Sequence, residues 1–200
     1  MSNVEKEIRV EVTEEQIDNI REITEPLSKR TRMIDITCGK YGFDSLATVG
    51  YICRIRALNH NYKLEIKNYS NSEKCVEKSL PIKSVKDGIE FLELLGMTPY
   101  LVLDRYREIR TYNDLEIFID EFQNGVGNFI EIEYQKATRE EALDFLKKMN
   151  IDQVLQDKYG DIIKERLKED KEFEEKFTES LNDYKKKRMW GLENNPLFLL

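Results

Sequence analysis

Three short segments alternate charge with apolar bulk so regularly that each, as a strand, presents one charged face and one oily face. In Val4-Glu5-Lys6-Glu7-Ile8-Arg9-Val10-Glu11-Val12 the residues Glu5, Glu7, Arg9 and Glu11 share one side, and Val4, Ile8, Val10 and Val12 share the other. Asn128 to Tyr134 sets Phe129, Glu131 and Glu133 against Ile130, Ile132 and Tyr134, and Tyr62 to Lys67 sets Lys63, Glu65 and Lys67 against Tyr62, Leu64 and Ile66. Acid and base therefore come from different strands. In one sheet curled with its charged face inward, the carboxylates can hold a divalent cation and the cations an oligophosphate.

Other chemistries are excluded. A single histidine, His60, cannot assemble a serine or cysteine triad or a His-rich zinc site, and in Asn59-His60-Asn61 it reads as a turn residue. Gly125-Val126-Gly127 is followed by neither Lys-Ser nor Lys-Thr, so no phosphate loop is present and any phosphate is held by side chains. The cysteines Cys38, Cys53 and Cys75 lie far apart in no metal-ligand spacing, which fits buried, inert thiols in a reducing compartment.

The elements that position these residues can be read in order. Thr13-Glu14-Glu15-Gln16 is a capping box, and Ile17, Ile20 and Ile23 follow at helical spacing, so a helix runs from about Glu14 to Glu25. Arg30 to Thr37 reads as a strand. Gly50 to Leu58 and Tyr62 to Asn68 read as a hairpin that places Arg54 and Arg56 on one face. Ser84 caps a second helix carrying Val85, Ile89, Leu92 and Leu95, with Gly96 as its stop. Leu101 to Arg110, Leu115 to Phe122 and, after the turn signal Asn124-Gly125, Asn128 to Tyr134 form a meander. Thr138 caps a third helix through Ala142, Phe145, Leu146 and Met149, so the chain has two similar halves.

From Ile151 the texture changes to charged helix, with Phe173, Phe177, Leu181 and Tyr184 forming an apolar stripe. The expected division is a domain over residues 1–150 and a helical C-terminal extension over 151–200. Lys185 to Arg188 reads as solvated surface, and the tail Asn194 to Leu200, which ends apolar, reads as a segment that docks into a groove of the domain or of a neighbour.

With 200 residues, the chain fits one domain with an appendage. A net charge of −7 argues against a general nucleic-acid or anionic-membrane binder, and no run approaches the roughly 20 apolar residues that span a bilayer. A cytoplasmic protein is expected, and a homodimer is left open.

Taken in order, the charged strands resemble the CYTH superfamily, the triphosphate tunnel metalloenzymes that include class IV adenylyl cyclases and thiamine triphosphatases. The opening ExExK motif of that family is matched by Glu5-Lys6-Glu7-Ile8-Arg9, with arginine for lysine. Its RxR strand and following lysine resemble Arg54-Ile55-Arg56 and Leu64-Glu65-Ile66-Lys67. The later motifs resemble Arg105-Tyr106-Arg107, Ile119-Asp120-Glu121 and Gly127-Asn128-Phe129-Ile130-Glu131-Ile132-Glu133. The resemblance covers about residues 4 to 149.

It implies an α+β fold, a closed or nearly closed antiparallel β-barrel forming the triphosphate tunnel, with flanking helices. Arg54, Arg56, Lys67, Arg105 and Arg107 are the implied phosphate-binding residues. Glu5, Glu7, Asp120, Glu131 and Glu133 are the implied ligands for Mg2+ or Mn2+, and Glu5, Glu7, Arg9 and Lys67 the implied catalytic set. The implied substrate is tripolyphosphate, thiamine triphosphate or ATP. The first expectation is a metal-dependent triphosphatase, the second a class IV adenylyl cyclase making cyclic AMP, the third a non-catalytic triphosphate sensor. Two departures bear on the choice. Arg9 keeps its charge but cannot give up a proton. Asp35-Ile36-Thr37 lacks the tyrosine that often follows this aspartate in the family's tripolyphosphate hydrolases.

Overall fold

The computed structural model describes residues 6–71, 74–123, 125–155 and 159–189. In chain order the elements are β1 (Glu7–Glu11), α1 (Glu14–Ile23), β2 (Glu25–Pro26), β3 (Thr31–Gly39), α2 (Ser45–Val49), β4 (Tyr51–Leu58), β5 (Asn61–Asn71) and β6 (Lys74–Ile82). They continue with α3 (Val85–Leu94), β7 (Thr98–Tyr112), β8 (Leu115–Phe122), β9 (Asn128–Glu133), α4 (Arg139–Lys148), α5 (Tyr159–Glu169) and α6 (Lys171–Met189). The chain divides into two compact units. One holds Met33–Asp104 and the chain from Tyr159, and the other holds Val4–Arg32 and Arg105–Lys158.

The strand order is β1-β9-β8-β7-β3-β4-β5-β6, with β2 added on β7. No pairing joins the end strands β1 and β6 among the described residues. An antiparallel sheet with flanking helices is therefore established; a closed ring of strands is not.

In the unit built on Val4–Arg32 and Arg105–Lys158, β9 lies between β1 and β8. Ile130 faces Val10 and Ile119, and Ile132 faces Ile8 and Ile117. This register keeps every isoleucine on one face; a slip by one residue would bury the charges instead. The oily face is closed by Ile17 and Ile20 of α1 and by Ala142, Phe145 and Leu146 of α4. Both helices begin with reciprocal capping boxes, Thr13 with Gln16 and Thr138 with Glu141. The helix α1 stops two residues before the expected Glu25. Glu25 precedes Pro26, which disfavours helical backbone, and both residues pair with Arg110 and Thr111 of β7.

In the unit built on Met33–Asp104, β3, β4, β5 and β6 form an antiparallel run. Asn59 and His60 turn the β4–β5 hairpin with φ of 47° and 62°, which gives the lone histidine the turn role its neighbours imply. On the oily face Ile34, Ile36 and Ile55 pack with Val85, Ile89 and Leu92 of α3. Gly88 lets α3 approach, since a Cβ there would stand 2.6 Å from Ile82 Cδ1. The strand β6 was not foreseen. Its sequence Lys-Cys-Val-Glu-Lys-Ser-Leu-Pro-Ile lacks a continuous apolar side and carries Pro81, a residue tolerated at a sheet edge.

The helices α5 and α6 belong to this same unit. Tyr159, Ile163, Phe173 and Phe177 are buried, and Leu181 packs against the cluster that contains Ile34, Ile36 and Val102. The Tyr184 side chain, the side chains of the basic run Lys185 to Arg188, and the apolar end lie outside the described residues.

Candidate functional site

Each unit carries one cluster of charged side chains on the sheet face opposite its oily core. Glu5 lies outside the described residues. In the unit holding β1, β8 and β9, Arg9 stands opposite Glu131 in register. Arg9 Nε donates to Glu131 Oε1 at 3.0 Å, and its terminal nitrogen donates both to that oxygen and, at 3.2 Å, to Glu7 Oε1. Arg107 pairs in register with Asp120, donating from Nε to Asp120 Oδ1 at 2.6 Å. A terminal nitrogen of Arg107 donates to Glu131 Oε2 at 2.7 Å. Arg105 Nε lies 3.2 Å from Asp120 Oδ1. The result is a ladder of alternating sign, Arg9, Glu131, Arg107, Asp120, Arg105.

Burial raises the pKa of the Glu131 carboxyl, but Arg107 and Arg9 together outweigh it and hold the group at about 2. The carboxylate is thus ionised throughout the physiological range. Glu7, Glu133 and Glu116 occupy one register row across β1, β9 and β8, three like charges side by side.

In the unit holding β3 to β6, Arg56 forms a two-point contact with Asp35, Nε to Oδ1 at 2.7 Å and a terminal nitrogen to Oδ2 at 2.9 Å. Arg54 Nε donates to Glu65 Oε2 at 2.5 Å. Lys67 Nζ lies 2.8 Å from Glu77 Oε2, and Arg54 reaches Glu77 Oε1 at 3.6 Å. Asp35 is only 1% exposed and Glu65 is buried. Burial opposes the charge on Arg54, yet Asp35, Glu65 and Glu77 together raise its pKa above the usual arginine value.

The structure brings Arg54, Arg56 and Lys67 to one face of one unit, and Arg9, Glu131, Arg107, Asp120 and Arg105 together in the other. The sequence reading missed the carboxylates that answer the first set. Asp35 alternates with Ile34 and Ile36 in β3, a visible signal, and Glu65 sits inside a charged alternation already noted. Glu77 lies on the unforeseen β6. A further network, in which Arg21 binds Glu108 and Glu121 while Arg30 also binds Glu121, ties α1 and the following loop to the sheet.

Carboxylate oxygens are the right donors for Mg2+ or Mn2+. Among the described residues, however, no group of three or more His, Cys, Asp or Glu side chains is placed to hold a metal ion. Glu131 and Asp120 are instead held by guanidinium groups. The donor chemistry fits a metal, and among the described residues the carboxylates are not arranged as a ready-made cage.

A family model for the CYTH domain matches residues 3–165. The chain belongs to the CYTH family. The match extends past the motif-bearing strands into α5, so the CYTH domain of this chain ends later than its last charged motif. Among solved structures, the PH1819 protein of Pyrococcus horikoshii shares 22% identity at a TM-score of 0.64, covering 81% of this chain and 99% of that one. A protein of Vibrio parahaemolyticus described as a candidate adenylate cyclase shares 16% identity at a TM-score of 0.64, covering 82% and 99%. The candidate adenylyl cyclase HpAC1 of Hippeastrum, described as having a dominant triphosphatase activity, shares 17% identity at a TM-score of 0.51, covering 74% and 87%. These likenesses show that the chain shares its fold with those proteins. No relative was found among curated proteins. Among the described residues no helix is long and apolar enough to cross a membrane.

Proposed function

We propose that this CYTH protein is a metal-dependent triphosphatase acting on a small organic or inorganic triphosphate. The observation that carries the reading is the gathering of Arg54, Arg56 and Lys67 on one face of β4 and β5, each tied to a carboxylate it can exchange for a phosphate. Arg105 and Arg107 extend the phosphate-binding set. Each charge-assisted hydrogen bond contributes roughly 1.5–3 kcal/mol, and the net gain on binding is the difference between a phosphate partner and the carboxylate it replaces. A sheet that closes into the family's tunnel belongs to the same proposal.

Hydrolysis of a triphosphate requires charge stabilisation at the transferred phosphoryl group and a positioned water. Lys67 and Arg9 supply fixed positive charge. Arg9, which stays protonated, stabilises charge and moves no proton. Glu5 and Glu7 orient the attacking water. Glu5, Glu7, Asp120, Glu131 and Glu133 are the residues that would hold Mg2+ or Mn2+, and the ion would lower the charge of the phosphate chain.

The alternative is a class IV adenylyl cyclase using the same grip, with the ribose hydroxyl attacking the α-phosphorus. The Vibrio neighbour's description is in keeping with it, and the Hippeastrum neighbour's description is in keeping with the triphosphatase. A triphosphate sensor without turnover is the third reading, resting on Arg9 and Thr37.

Thermal unfolding with added ligand tests the binding claim. A ligand held a hundredfold above its dissociation constant stabilises the folded state by about 2.7 kcal/mol. Millimolar tripolyphosphate with Mg2+ is expected to raise Tm, and Arg56→Ala or Arg107→Ala to diminish the rise. No shift for the unaltered protein would remove the reading.

A further inference from the structure

The phosphate grip on β4 and β5 is neutralised from within. Its three cations, Arg54, Arg56 and Lys67, are answered by three carboxylates, Asp35, Glu65 and Glu77. All three reach more than one cation, Asp35 binding Arg56 and lying 3.8 Å from a terminal nitrogen of Arg54. Glu65 Oε2 lies 2.5 Å from Arg54 Nε and 3.7 Å from a terminal nitrogen of Arg56, and Glu77 contacts both Lys67 and Arg54. Lys63, opposite Arg56 in register, is exposed.

Such a cluster attracts no polyanion by net charge alone. An entering phosphate chain must take hydrogen bonds from cations that already have partners, and the displaced carboxylates remain beside it. Glu65 is buried and cannot swing into water. Glu77 is exposed, and although partial desolvation works against its charge, Lys67, Arg54 and Arg56 hold its carboxyl below the usual range. It stays ionised at neutral pH and repels an incoming phosphate. Repulsive elements of this kind set specificity, because they cost most for the ligand that carries most charge.

We propose that Glu65 and Glu77 are specificity-determining residues that bias the grip toward esterified triphosphates and against inorganic tripolyphosphate. An ester end removes one ionisable oxygen from the chain. The ester therefore leaves one phosphate end with less negative charge to set against these two carboxylates. Nothing in the three cations alone would make that distinction, since they gain from every added negative charge. The proposal rests on the assignment of Arg54, Arg56 and Lys67 to phosphate binding.

Calorimetric binding of ATP and of tripolyphosphate, with divalent metal chelated, tests it on the unaltered protein and on Glu77→Gln, Glu65→Gln and Arg56→Ala. Glu77→Gln removes an exposed charge with little change in volume, and its melting curve establishes that the variant is folded. The expected result is tighter binding of ATP than of tripolyphosphate by the unaltered protein. Glu77→Gln is expected to tighten tripolyphosphate by on the order of tenfold, the scale of one charge interaction screened by water at an exposed position, and ATP by less. Glu65→Gln is expected to move the preference in the same direction. An unchanged preference in Glu77→Gln, with Arg56→Ala weakening both ligands, overturns the specificity role and leaves the phosphate grip standing. Absence of binding by all four proteins overturns the specificity role, and the phosphate grip is then judged by the rise in Tm with tripolyphosphate and Mg2+.

Discussion

Arg107 donates to Glu131 across 2.7 Å, and Arg9 holds the other oxygen of the same carboxylate. Glu131 therefore carries two jobs, counter-ion to two arginines and candidate metal ligand. Glu133, two residues on, stands half-buried opposite Glu7 and Glu116. Charge-removing substitutions should separate the jobs. Glu131→Gln leaves two guanidinium groups short of a counter-charge at a site only 8% exposed and should cost about 3 kcal/mol. Glu133→Gln, which sits among carboxylates, should cost less than about 1 kcal/mol. Both should lose metal-dependent turnover. Urea unfolding and phosphate-release assays on each variant check this, and equal stability of Glu131→Gln and the unaltered protein would contradict the ion-pair ladder.

The same carboxylate sets a pH dependence. Its folded pKa is about 2 against an ordinary value of 4.5, so its contribution to stability is complete above 4.5 and disappears as pH falls toward 2. The Tm of the unaltered protein should drop across that window more steeply than that of Glu131→Gln. Part of the drop should survive in the variant, because Glu77 and Glu121 are shifted in the same direction. Parallel Tm profiles would show that Glu131 is not the group responsible.

Arg56 and Asp35 form a pair that a double-mutant cycle can dissect. Arg56→Ala strips the two-point contact from a carboxylate that is 1% exposed, and the cost should be about 3 kcal/mol. Asp35→Asn added to Arg56→Ala should recover a large part of that loss, since the buried charge is gone. Tripolyphosphate binding should stay weak in both. Chemical denaturation gives the first result and calorimetry the second; recovery of binding in the double variant would remove Arg56 from the grip.

The charged faces were readable because a period of two is short enough to survive in a few residues. Glu7, Arg9 and Glu131, or Lys63, Glu65 and Lys67, announce their side without any knowledge of their neighbours. Which acid answers which base depends on register, a long-range property, so the Arg56–Asp35 and Arg9–Glu131 pairs were beyond a reading of local pattern. The strand β6 escaped for a different reason. An edge strand is solvated along one side, so Lys74, Glu77 and Lys78 appear where a central strand would show oil. With it went Glu77, the acid that contacts Lys67. The carboxylates proposed to hold a metal came from the resemblance, and the local pattern did not reveal that arginines hold Glu131 and Asp120. The closed barrel was drawn from resemblance rather than from any pattern in the strands.

Residues 1–150 contain every residue proposed to bind phosphate or metal, which motivates treating 151–200 as an extension. Tyr159, Ile163, Phe173 and Phe177 nevertheless bury apolar surface in the unit that contains Arg54 and Arg56, at about 25 cal/mol for each Å² removed from water. A fragment ending at Asn150 should keep the circular dichroism of a sheet and bind tripolyphosphate, with a lower Tm than the full chain. Light scattering should report a discrete species. A molten or aggregated fragment would make the last fifty residues part of the fold itself.

The central claim, turnover of a triphosphate by hydrolysis, is tested most directly by identifying the products after incubation with ATP, tripolyphosphate and thiamine triphosphate in Mg2+ or Mn2+. Orthophosphate, released in proportion to enzyme and lost in Arg107→Ala, is the predicted result. Pyrophosphate with cyclic AMP from ATP would contradict hydrolysis and identify a cyclase, and intact substrates despite tight binding would contradict turnover altogether.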